Sequence, residues 1–505
     1  MLFRATFFSV AAALVLATCG PTLPPTTAPP QPDPIFEPLR TSLQAYIDQT
    51  QPFRKQAAQA AESVPGKDAP TPAAEESVRA RQNTLAEALQ AKLRPNAPPA
   101  DILTPQIAQA IRRQLETALA SVRRDLILDE LAEQAEGTAP TSGPAINQPL
   151  SAPRVPPRLM EVLPPLPKQL EWDFAGRTVI LRDVDADVVV DYIPDAIPIP
   201  PPATGPPPAR QMGVPATTSP LPMPSLRGST ILGLMGDSGS GDLPQQQIAQ
   251  AMLTYWTTAR RFPFVLMLGD NLYDDDYTGE FLEPYKPLLD RGVKFYATLG
   301  NHDRDLEIHF KPFNMGDKDR YSFDQGNARF VALNSNHPTE IEQLKWLDTV
   351  FADAGDKWRI AFFHHPLYSS GQHAAESRDV IRPALEAALV RNRVNVVFSG
   401  HEHAYERVRP QQGVSYFVSG GGGRYLYDVR KSDFDEVAVS EHHFMVAEVA
   451  GDRLFFEAIT HEQKLLDCGV LYRVATVKPD KPGGDEQKWL AACEAGRPRA
   501  IPTER

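Results

Sequence analysis

The sequence predicts an α/β fold for the second half of the chain, and two observations lead to this prediction. Short apolar, β-prone segments alternate with helical segments from residue 228 to about residue 460. Several of the apolar segments end abruptly in polar residues, as PFVLM (263–267) does before LGDNLYDDDY (268–277). The 50 prolines are unevenly placed and reach roughly twice the average usage of about 5%. The 505 residues therefore suggest two or three folding units and some non-globular chain.

Residues 1–19 are predicted to be an export signal. Arg4 supplies a positive charge near its start, and residues 5–16 are apolar. This apolar run is shorter than the ~20 residues that a bilayer span needs, which favours a cleaved signal. The following LATC resembles the lipobox of bacterial lipoproteins, although Thr18 departs from the usual small residues. The resemblance implies lipidation at Cys19 and a membrane anchor in the bacterial cell envelope, with the rest of the chain in the periplasm or outside the cell. An ordinary secretory signal with an incidental cysteine is the alternative.

Export agrees with the remaining two cysteines. Cys468 and Cys493 form an even pair that would form a disulfide in an oxidising compartment, the alternative being two unpaired thiols. The net charge of −12 argues against a nucleic-acid-binding surface, because phosphate backbones attract basic patches. A phosphate-ester substrate stays compatible with this charge, since metal ions can supply the positive charge.

The chain before residue 228 is predicted to hold a helical region between Pro-rich segments. Residues 20–35 are a Pro-rich tether, and residues 36–137 have helical spacing. One predicted helix face collects Ile107, Ile111, Leu115, Leu119 and Val122. We interpret this region as two or three helices packed as a bundle or against the next domain. Binding of a lipid or a partner is the alternative.

Residues 138–227 are interpreted as a Pro-rich connector. Within it, residues 170–193 have β-branched runs that predict two or three strands, and residues 194–224 hold twelve prolines. A domain boundary is therefore expected near residue 225, followed by a catalytic α/β domain over 228–465 and a C-terminal extension over 466–505.

Five predicted strands end in clusters of aspartate, asparagine, tyrosine or histidine. The clusters are GDSG at 236–239, GDNLY at 269–273, GNHD at 300–303, HHP at 364–366 and GHEH at 400–403. Because open α/β sheets bind ligands at the carboxyl ends of their strands, these clusters can converge on one crevice. Their oxygen and imidazole donors suit transition metals. Taken alone, each signal has a structural explanation. Asp237 could be a turn or helix-cap residue, Asn301 could form an Asx turn, and His401 with His403 could lie at a hairpin edge. Together they predict a metal site.

The ordered set of motifs resembles the calcineurin-like metallophosphoesterases, specifically the purple acid phosphatase branch. The resemblance covers residues 229–460. Most of that superfamily has Asp-x-His in the first motif, whereas this chain has Gly239 at the third position and supplies Tyr273 instead. The resemblance implies a β-sandwich of two mixed sheets flanked by helices.

The resemblance also implies a ligand set for two metal ions, Fe(III) plus Fe(II), Zn(II) or Mn(II). The first ion would be held by Asp237, Asp270, Tyr273 and His403. The second would be held by Asp270, Asn301, His364 and His401. The pattern His-x-Pro selects His364 over the adjacent His365. The run Asp274, Asp275 and Asp276 is interpreted as a solvated loop, with an effect on metal capture as the alternative.

Further residues match substrate-contacting positions of the same family. His302 would bond the phosphate oxygens, and His373 would act near the leaving group as general acid. Asp303 would orient His302. The glycines 420–423 are interpreted as a structural loop, with a phosphate nest as the alternative.

The resulting expectation is an exported binuclear phosphatase that hydrolyses small phosphate monoesters by attack of a metal-bound hydroxide. A phosphodiesterase or nucleotidase using the same site is one alternative. The other is a catalytically weak cell-envelope binding protein whose working part is the helical region. The complete set of metal-ligand residues argues against that second alternative.

Overall fold

The fold is taken from a computed structural model of the chain. It describes residues 34–93, 102–119, 163–175, 178–194, 196, 220–221, 223–224, 226, 228–473 and 484–496. The expectations for Cys19, for the signal and for Val122 lie outside the described residues.

The first part of the described chain is an N-terminal module of helices and one small sheet. Its elements are α1 (Glu37–Glu62), α2 (Pro72–Ala88), α3 (Pro105–Leu119), β1 (Leu170–Ala175), β2 (Thr178–Asp183) and β3 (Val188–Ile193). The strands pair antiparallel in the order β1-β2-β3. Leu43 of α1 and Ile111 of α3 are buried in one cluster with Trp172 of β1. Helices before residue 137 and strands after it therefore share one core.

Thirteen strands are described after the N-terminal module. They are β4 (Thr230–Met235), β5 (Phe264–Met267), β6 (Lys294–Ala297), β7 (Tyr321–Gln325), β8 (Ala328–Ala332), β9 (Trp358–Phe362), β10 (Val396–Ser399), β11 (Tyr405–Gln411), β12 (Val414–Ser419), β13 (Asp435–Val439), β14 (His443–Ala450), β15 (Arg453–Thr460) and β16 (Leu465–Tyr472). One sheet has the order β16-β15-β14-β4-β5-β6, and the other has the order β13-β11-β12-β10-β9-β8-β7. Both are mixed, because β4-β5-β6 and β8-β9-β10-β12 are parallel and the flanking pairs are antiparallel.

The α-helices of this part lie between and after the strands. They are α4 (Leu243–Thr258), α5 (Glu283–Leu289), α6 (Ile341–Ala352), α7 (Ala374–Glu376), α8 (Arg382–Arg391) and α9 (Gly484–Gly496). Shorter helical turns cover Tyr277–Leu282, Asp305–His309, Lys311–Phe313 and Ser377–Ile381.

The two large sheets enclose one core, and helices cover the outer face of the seven-stranded sheet. Strand β8 shows how this arises, because successive side chains of a strand point to opposite faces. Phe330 lies in the core shared with Leu234 and Phe444 of the six-stranded sheet. Val331 lies on the other face, in a cluster with Leu347 of α6. The predicted fold class, two mixed sheets flanked by helices, is confirmed.

The domain continues beyond its predicted end at residue 465. Strand β16 begins there and pairs with β15 along its length. Cys468 of β16 is joined by a disulfide to Cys493 of α9. The stretch predicted as a C-terminal extension thus supplies a strand of the six-stranded sheet and a helix joined to that strand by the disulfide.

Helix α2 of the N-terminal module packs on the large domain. Ala74 and Val78 are buried in the same core as Tyr277, and Thr278 donates to the Glu75 carboxylate at 2.7 Å. Of the two arrangements left open for the helical region, packing against the next domain is the one observed for α2. Within the ranges given above, no helix has the length and apolar character needed to cross a membrane.

Candidate metal centre

Five strand ends bring the predicted metal ligands to one place. Asp237 follows β4, Asp270 follows β5, Asn301 follows β6, His364 follows β9, and His401 follows β10. These strands run parallel within their two sheets, so their carboxyl ends open on one side of the sandwich.

Backbone geometry at these turns is unusual. Asp237, Asp270 and His401 have φ of 56°, 50° and 68°, in the left-handed region that residues other than glycine rarely adopt. Such a conformation costs about 1–3 kcal/mol per residue and clusters at functional sites. Gly269 has φ of 89°, and a Cβ there would lie 2.5 Å from the His364 ring. Glycine is thus required for the close approach of β5 and β9.

One half of the cluster is formed by two aspartates, a tyrosine and a histidine. Ligand atoms of Asp237, Asp270 and His403 all lie within 4.8 Å of one another. The Tyr273 hydroxyl is 3.2 Å from Asp270 Oδ2 and 3.3 Å from His403 Nε2. These four residues are the set expected for the first ion.

The other half is formed by the amide of Asn301 and two imidazoles. His364 Nε2 is 2.8 Å from Asn301 Oδ1, 3.2 Å from His401 Nδ1 and 3.4 Å from Asp270 Oδ1. Asp270 therefore contacts both halves through different oxygens, as a carboxylate between two cations would. His365 also lies in a histidine group with His364 and His401. Its Nδ1 is 2.9 Å from the Ser335 hydroxyl, and His364 is the one that meets Asp270.

The outward nitrogen of each imidazole is held by an acceptor. His364 Nδ1 meets the Leu268 carbonyl at 2.9 Å, and His403 Nδ1 meets the Tyr425 carbonyl at 2.7 Å. His401 Nε2 meets the Glu376 carboxylate at 2.9 Å. Such contacts fix the ring and its tautomer, so that the opposite nitrogen faces the centre of the cluster.

The electrostatics of the cluster fit cation binding. Burial acts against the charge of Asp270, yet the imidazoles of His364 and His302 hold its pKa well below the usual value. Burial lowers the pKa of His364, but the Asp270 carboxylate outweighs it and places that pKa at about 10. Burial raises the pKa of Asp237. Across the described chain, the ion-pair partners found for both aspartates are histidines. The donors are carboxylate, phenol, amide and imidazole groups, a set that suits transition-metal cations.

The two predicted catalytic histidines lie at the edges of the ligand cluster. The His302 ring is 4.6 Å from the Tyr273 ring, and its backbone N–H donates to Asp270 at 3.0 Å. The His373 ring is 4.0 Å from the His401 ring. Each histidine is therefore next to a predicted metal ligand, His302 beside Tyr273 and His373 beside His401.

Asp303 is buried and joins two loops. Its carboxylate accepts from the backbone N–H groups of Asn271, Leu272 and Gly300 at 2.6–3.1 Å. Burial, with the nearby Asp270 charge, raises the pKa of Asp303 to about 7. These bonds hold the Asp270 and Asn301 turns together. The expected role of Asp303 in orienting His302 stays a prediction.

Two acidic residues of this site were missed by the sequence analysis. Glu402 lies between His401 and His403 and accepts from the His373 backbone N–H at 2.9 Å. It thus ties the loop of His373 to the metal-ligand turn. Its position inside GHEH was a usable signal, because a buried carboxylate between two ligands needs partners. No local signal marks Glu376, which lies 25 residues before His401.

The aspartate run after Tyr273 has structural partners. Asp274 and Asp276 are exposed. Asp276 Oδ1 accepts from the Gly279 N–H at 2.9 Å, and Asp275 lies 3.5 Å from Arg304. This arrangement agrees with a solvated loop.

Comparison with known proteins gives a family for this domain. The family described as "Calcineurin-like phosphoesterase" matches residues 241–405. Purple acid phosphatase 21 of Arabidopsis thaliana is 31% identical over 198 residues, which are 32% of this chain and 44% of that protein. Fe(3+)-Zn(2+) purple acid phosphatase 12 of the same plant is 28% identical over 210 residues, 36% of this chain and 45% of that protein.

Solved structures are more distant. Purple acid phosphatase PPD1 from yellow lupin (Lupinus luteus) seeds is 16% identical, with a TM-score of 0.43, over 68% of this chain and 64% of that chain. The chain spans less than half the length of the curated relatives named above. Residues 241–405 form a calcineurin-like metallophosphoesterase domain, and its curated relatives at moderate identity are purple acid phosphatases.

Proposed function

We propose that the chain is an exported phosphatase that hydrolyses phosphate monoesters at a centre of two metal ions. The observation that carries the proposal is the position of Asp270. Its Oδ2 lies 3.2 Å from the Tyr273 hydroxyl and its Oδ1 lies 3.4 Å from His364 Nε2. One carboxylate thus faces two complete donor sets.

The chemistry divides between the cations and the protein. When bound, a pair of metal ions supplies positive charge for the phosphoryl oxygens and activates a water molecule as the nucleophile. The ligand turns hold the donors in a rigid frame, because they follow buried strands of two packed sheets. His302 extends this frame beside Tyr273, where its ring can donate to a phosphoryl oxygen.

His373 is proposed to deliver a proton to the leaving oxygen. It is 6% exposed, its ring lies 4.0 Å from the His401 ring, and its loop is fixed by Glu402. The Glu402 carboxylate lies 3.7 Å from His373 Nδ1. An ester with a poor leaving group would depend most on this proton.

The metals are proposed to be Fe(III) in the half with Tyr273, and Fe(II), Zn(II) or Mn(II) in the other half. Support comes from the phenol of Tyr273 beside two carboxylates, since a ferric ion holds a phenol ionised. Iron-loaded protein is expected to show a tyrosinate charge-transfer band that Tyr273→Phe removes. An unchanged band in that variant would exclude Tyr273 as the iron ligand.

Hydrolysis by the full chain tests the proposed activity. A fragment beginning near residue 225 is unsuitable, because it would expose the domain core that Ala74 and Val78 cover. The substrates are phenyl phosphate and the matching phenyl diester, with metal content measured in wild type and in Asn301→Ala. A strong preference for the monoester that is lost in the variant is expected. Preference for the diester would indicate a phosphodiesterase, and metal binding without turnover of either ester would support the binding-protein alternative.

Lipid anchoring through Cys19 is proposed separately, on the lipobox-like sequence that ends there. The disulfide between Cys468 and Cys493 agrees with an oxidising compartment. Expression in a bacterium with a labelled fatty acid should label wild type and leave Cys19→Ser unlabelled. Label on both forms, or on neither, would contradict the anchor.

A further inference from the structure

Arg424 is a cation at the metal centre that neither the motifs nor the ligand set includes. It directly follows the glycine run 420–423. Its guanidinium carbon lies 4.5 Å from the centroid of the Tyr273 ring and 5.1 Å from that of Tyr425. A positive charge over the face of an aromatic ring is attracted to it. Two rings thus hold this cation beside a proposed metal ligand.

The glycine run explains how the arginine reaches this position. A Cβ on Gly420 would lie 2.2 Å from the Glu402 carbonyl oxygen, and one on Gly422 would lie 2.3 Å from that of Gly236. The backbone of the run therefore lies directly against two ligand-bearing turns. The next N–H, that of Arg424, donates to the Asp237 carbonyl at 3.0 Å. The run agrees with a structural loop whose position places Arg424 at the mouth of the site.

The charge of Arg424 has no carboxylate partner in the described part of the chain. Two other arginines of the same domain do have one: Arg304 lies 3.5 Å from Asp275, and Arg407 lies 2.6 Å from Asp467. Arg424 is only partly buried, so solvent or a ligand can reach it. Its planar guanidinium is suited to paired hydrogen bonds with a phosphate or a carboxylate.

We propose that Arg424 binds a second anionic group of the substrate, while the phosphoryl group to be transferred lies at the metal ligands. The site would therefore prefer phosphate esters whose leaving group carries a further phosphate or carboxylate. The proposal rests on the phosphatase function proposed above and adds a substrate class to it. The distance between the two anionic groups is set by Tyr273, whose hydroxyl meets Asp270 and whose ring faces Arg424.

The test compares two esters that differ by one charge, phenyl phosphate and 4-carboxyphenyl phosphate, with pyrophosphate as the diphosphate probe. The full-length metal-loaded wild type is expected to prefer the carboxylated ester in kcat/KM over phenyl phosphate. Arg424→Gln should reduce that preference about tenfold, chiefly through KM, because one charge-assisted contact is lost. Arg424→Lys should retain part of it. Arg430→Gln, an exposed arginine in the same segment, is the matched control and should retain all of it.

The outcomes separate this proposal from the phosphatase function. If wild type hydrolyses phenyl phosphate but shows no preference for 4-carboxyphenyl phosphate or pyrophosphate, the substrate class is wrong and the phosphatase function stands. If Arg424→Gln lowers turnover of all three substrates by the same factor and shifts the tyrosinate band, Arg424 acts through Tyr273. That result would overturn the proposal. If wild type hydrolyses none of them, the phosphatase function itself is wrong.

Discussion

The N-terminal module and the metallophosphoesterase domain both bury charged side chains, but they balance that charge differently. In the module, Arg182 is 2% exposed and contacts Glu171, Asp173 and Asp187. The positive charge is therefore built into the chain. In the domain, the buried Asp237 and Asp270 meet histidines. Imidazole can give up its proton to make room for a cation, whereas guanidinium cannot.

This difference indicates which buried charge is structural and which is functional. A guanidinium occupies its carboxylates permanently, so removing it should damage the fold. A carboxylate-imidazole cluster can exchange protons for metal ions, so altering it should damage activity and metal content first. The expectations below test that separation, beginning with the largest effect.

Asp270→Asn should abolish turnover, reducing kcat/KM for phenyl phosphate by roughly 10³-fold or more. The amide keeps the shape of the side chain but cannot supply two anionic oxygens to two cations. Steady-state kinetics and elemental analysis measure the effect, and metal content should fall with activity. Asp276→Asn is the matched control, because Asp276 is exposed and caps a helical turn, which asparagine also does. Full activity of Asp270→Asn would remove Asp270 from the centre.

Arg182→Met should destabilise the fold by about 3–5 kcal/mol, because it leaves three acidic groups without their buried cation. Chemical denaturation followed by circular dichroism gives the free energy of unfolding. Arg391→Met, which breaks the exposed pair with Asp348, should cost at most about 1 kcal/mol. Equal losses in the two variants would mean that the buried cluster of Arg182 is not a structural ion-pair network.

Glu402→Ala should reduce turnover about 10–100-fold, with the larger loss for esters that have poor leaving groups. The reason is that Glu402 holds the backbone of His373, the proposed proton donor. Phenyl and 4-nitrophenyl phosphate are the substrates to compare, and Glu402→Gln should recover part of the loss. In a His373→Ala background, removal of Glu402 should add little. Additive losses would show that Glu402 acts independently of His373.

The smallest effect expected is on the pH dependence of stability. Burial raises the pKa of Glu280 to about 8, above its ordinary value of 4.5. The folded protein thus favours the neutral acid, and its contribution is present below pH 4.5 and is lost as the pH rises through 8. Glu280→Gln should flatten the decline in unfolding free energy over that range, because glutamine does not titrate. Its single carbonyl oxygen can still accept from the Asp274 and Asp276 N–H groups, as Glu280 Oε2 does at 3.2 Å. An unaltered profile of unfolding free energy against pH would exclude Glu280 as a contributor to the pH dependence of stability.

Much of the domain was predictable because short stretches of sequence mark its strands and its polar motifs. Strands β4, β5 and β6 are short and mostly apolar, and a polar cluster begins within three residues of the end of each. The end of the domain was not predictable in this way. Strand β16 contains Asp467 and Gly469, which disfavour strands, and Asp467 is satisfied by Tyr405 at 2.8 Å across 62 residues. The end of the domain depends on contacts of β16 with β15 and with Tyr405, and no short stretch of sequence signals them.

The same distinction between local motifs and contacts between distant segments applies to the site. Proposed ligands such as Asp270 and His401 were found because each belongs to a short motif, whereas the groups that orient the ligands were not. Glu376 and the Tyr425 carbonyl meet His401 and His403 from segments that only the fold brings near. Arg424 was also missed, because the sequence does not show that its charge lies over the Tyr273 ring.

The most direct test of the central claim is an anomalous-diffraction crystal structure of the metal-loaded full chain. Two metal peaks about 3.5–4 Å apart are expected, both in contact with Asp270. One should contact Tyr273 and the other Asn301. A single peak, or a second ion held by His365 in place of Asn301, would contradict the proposed two-metal centre.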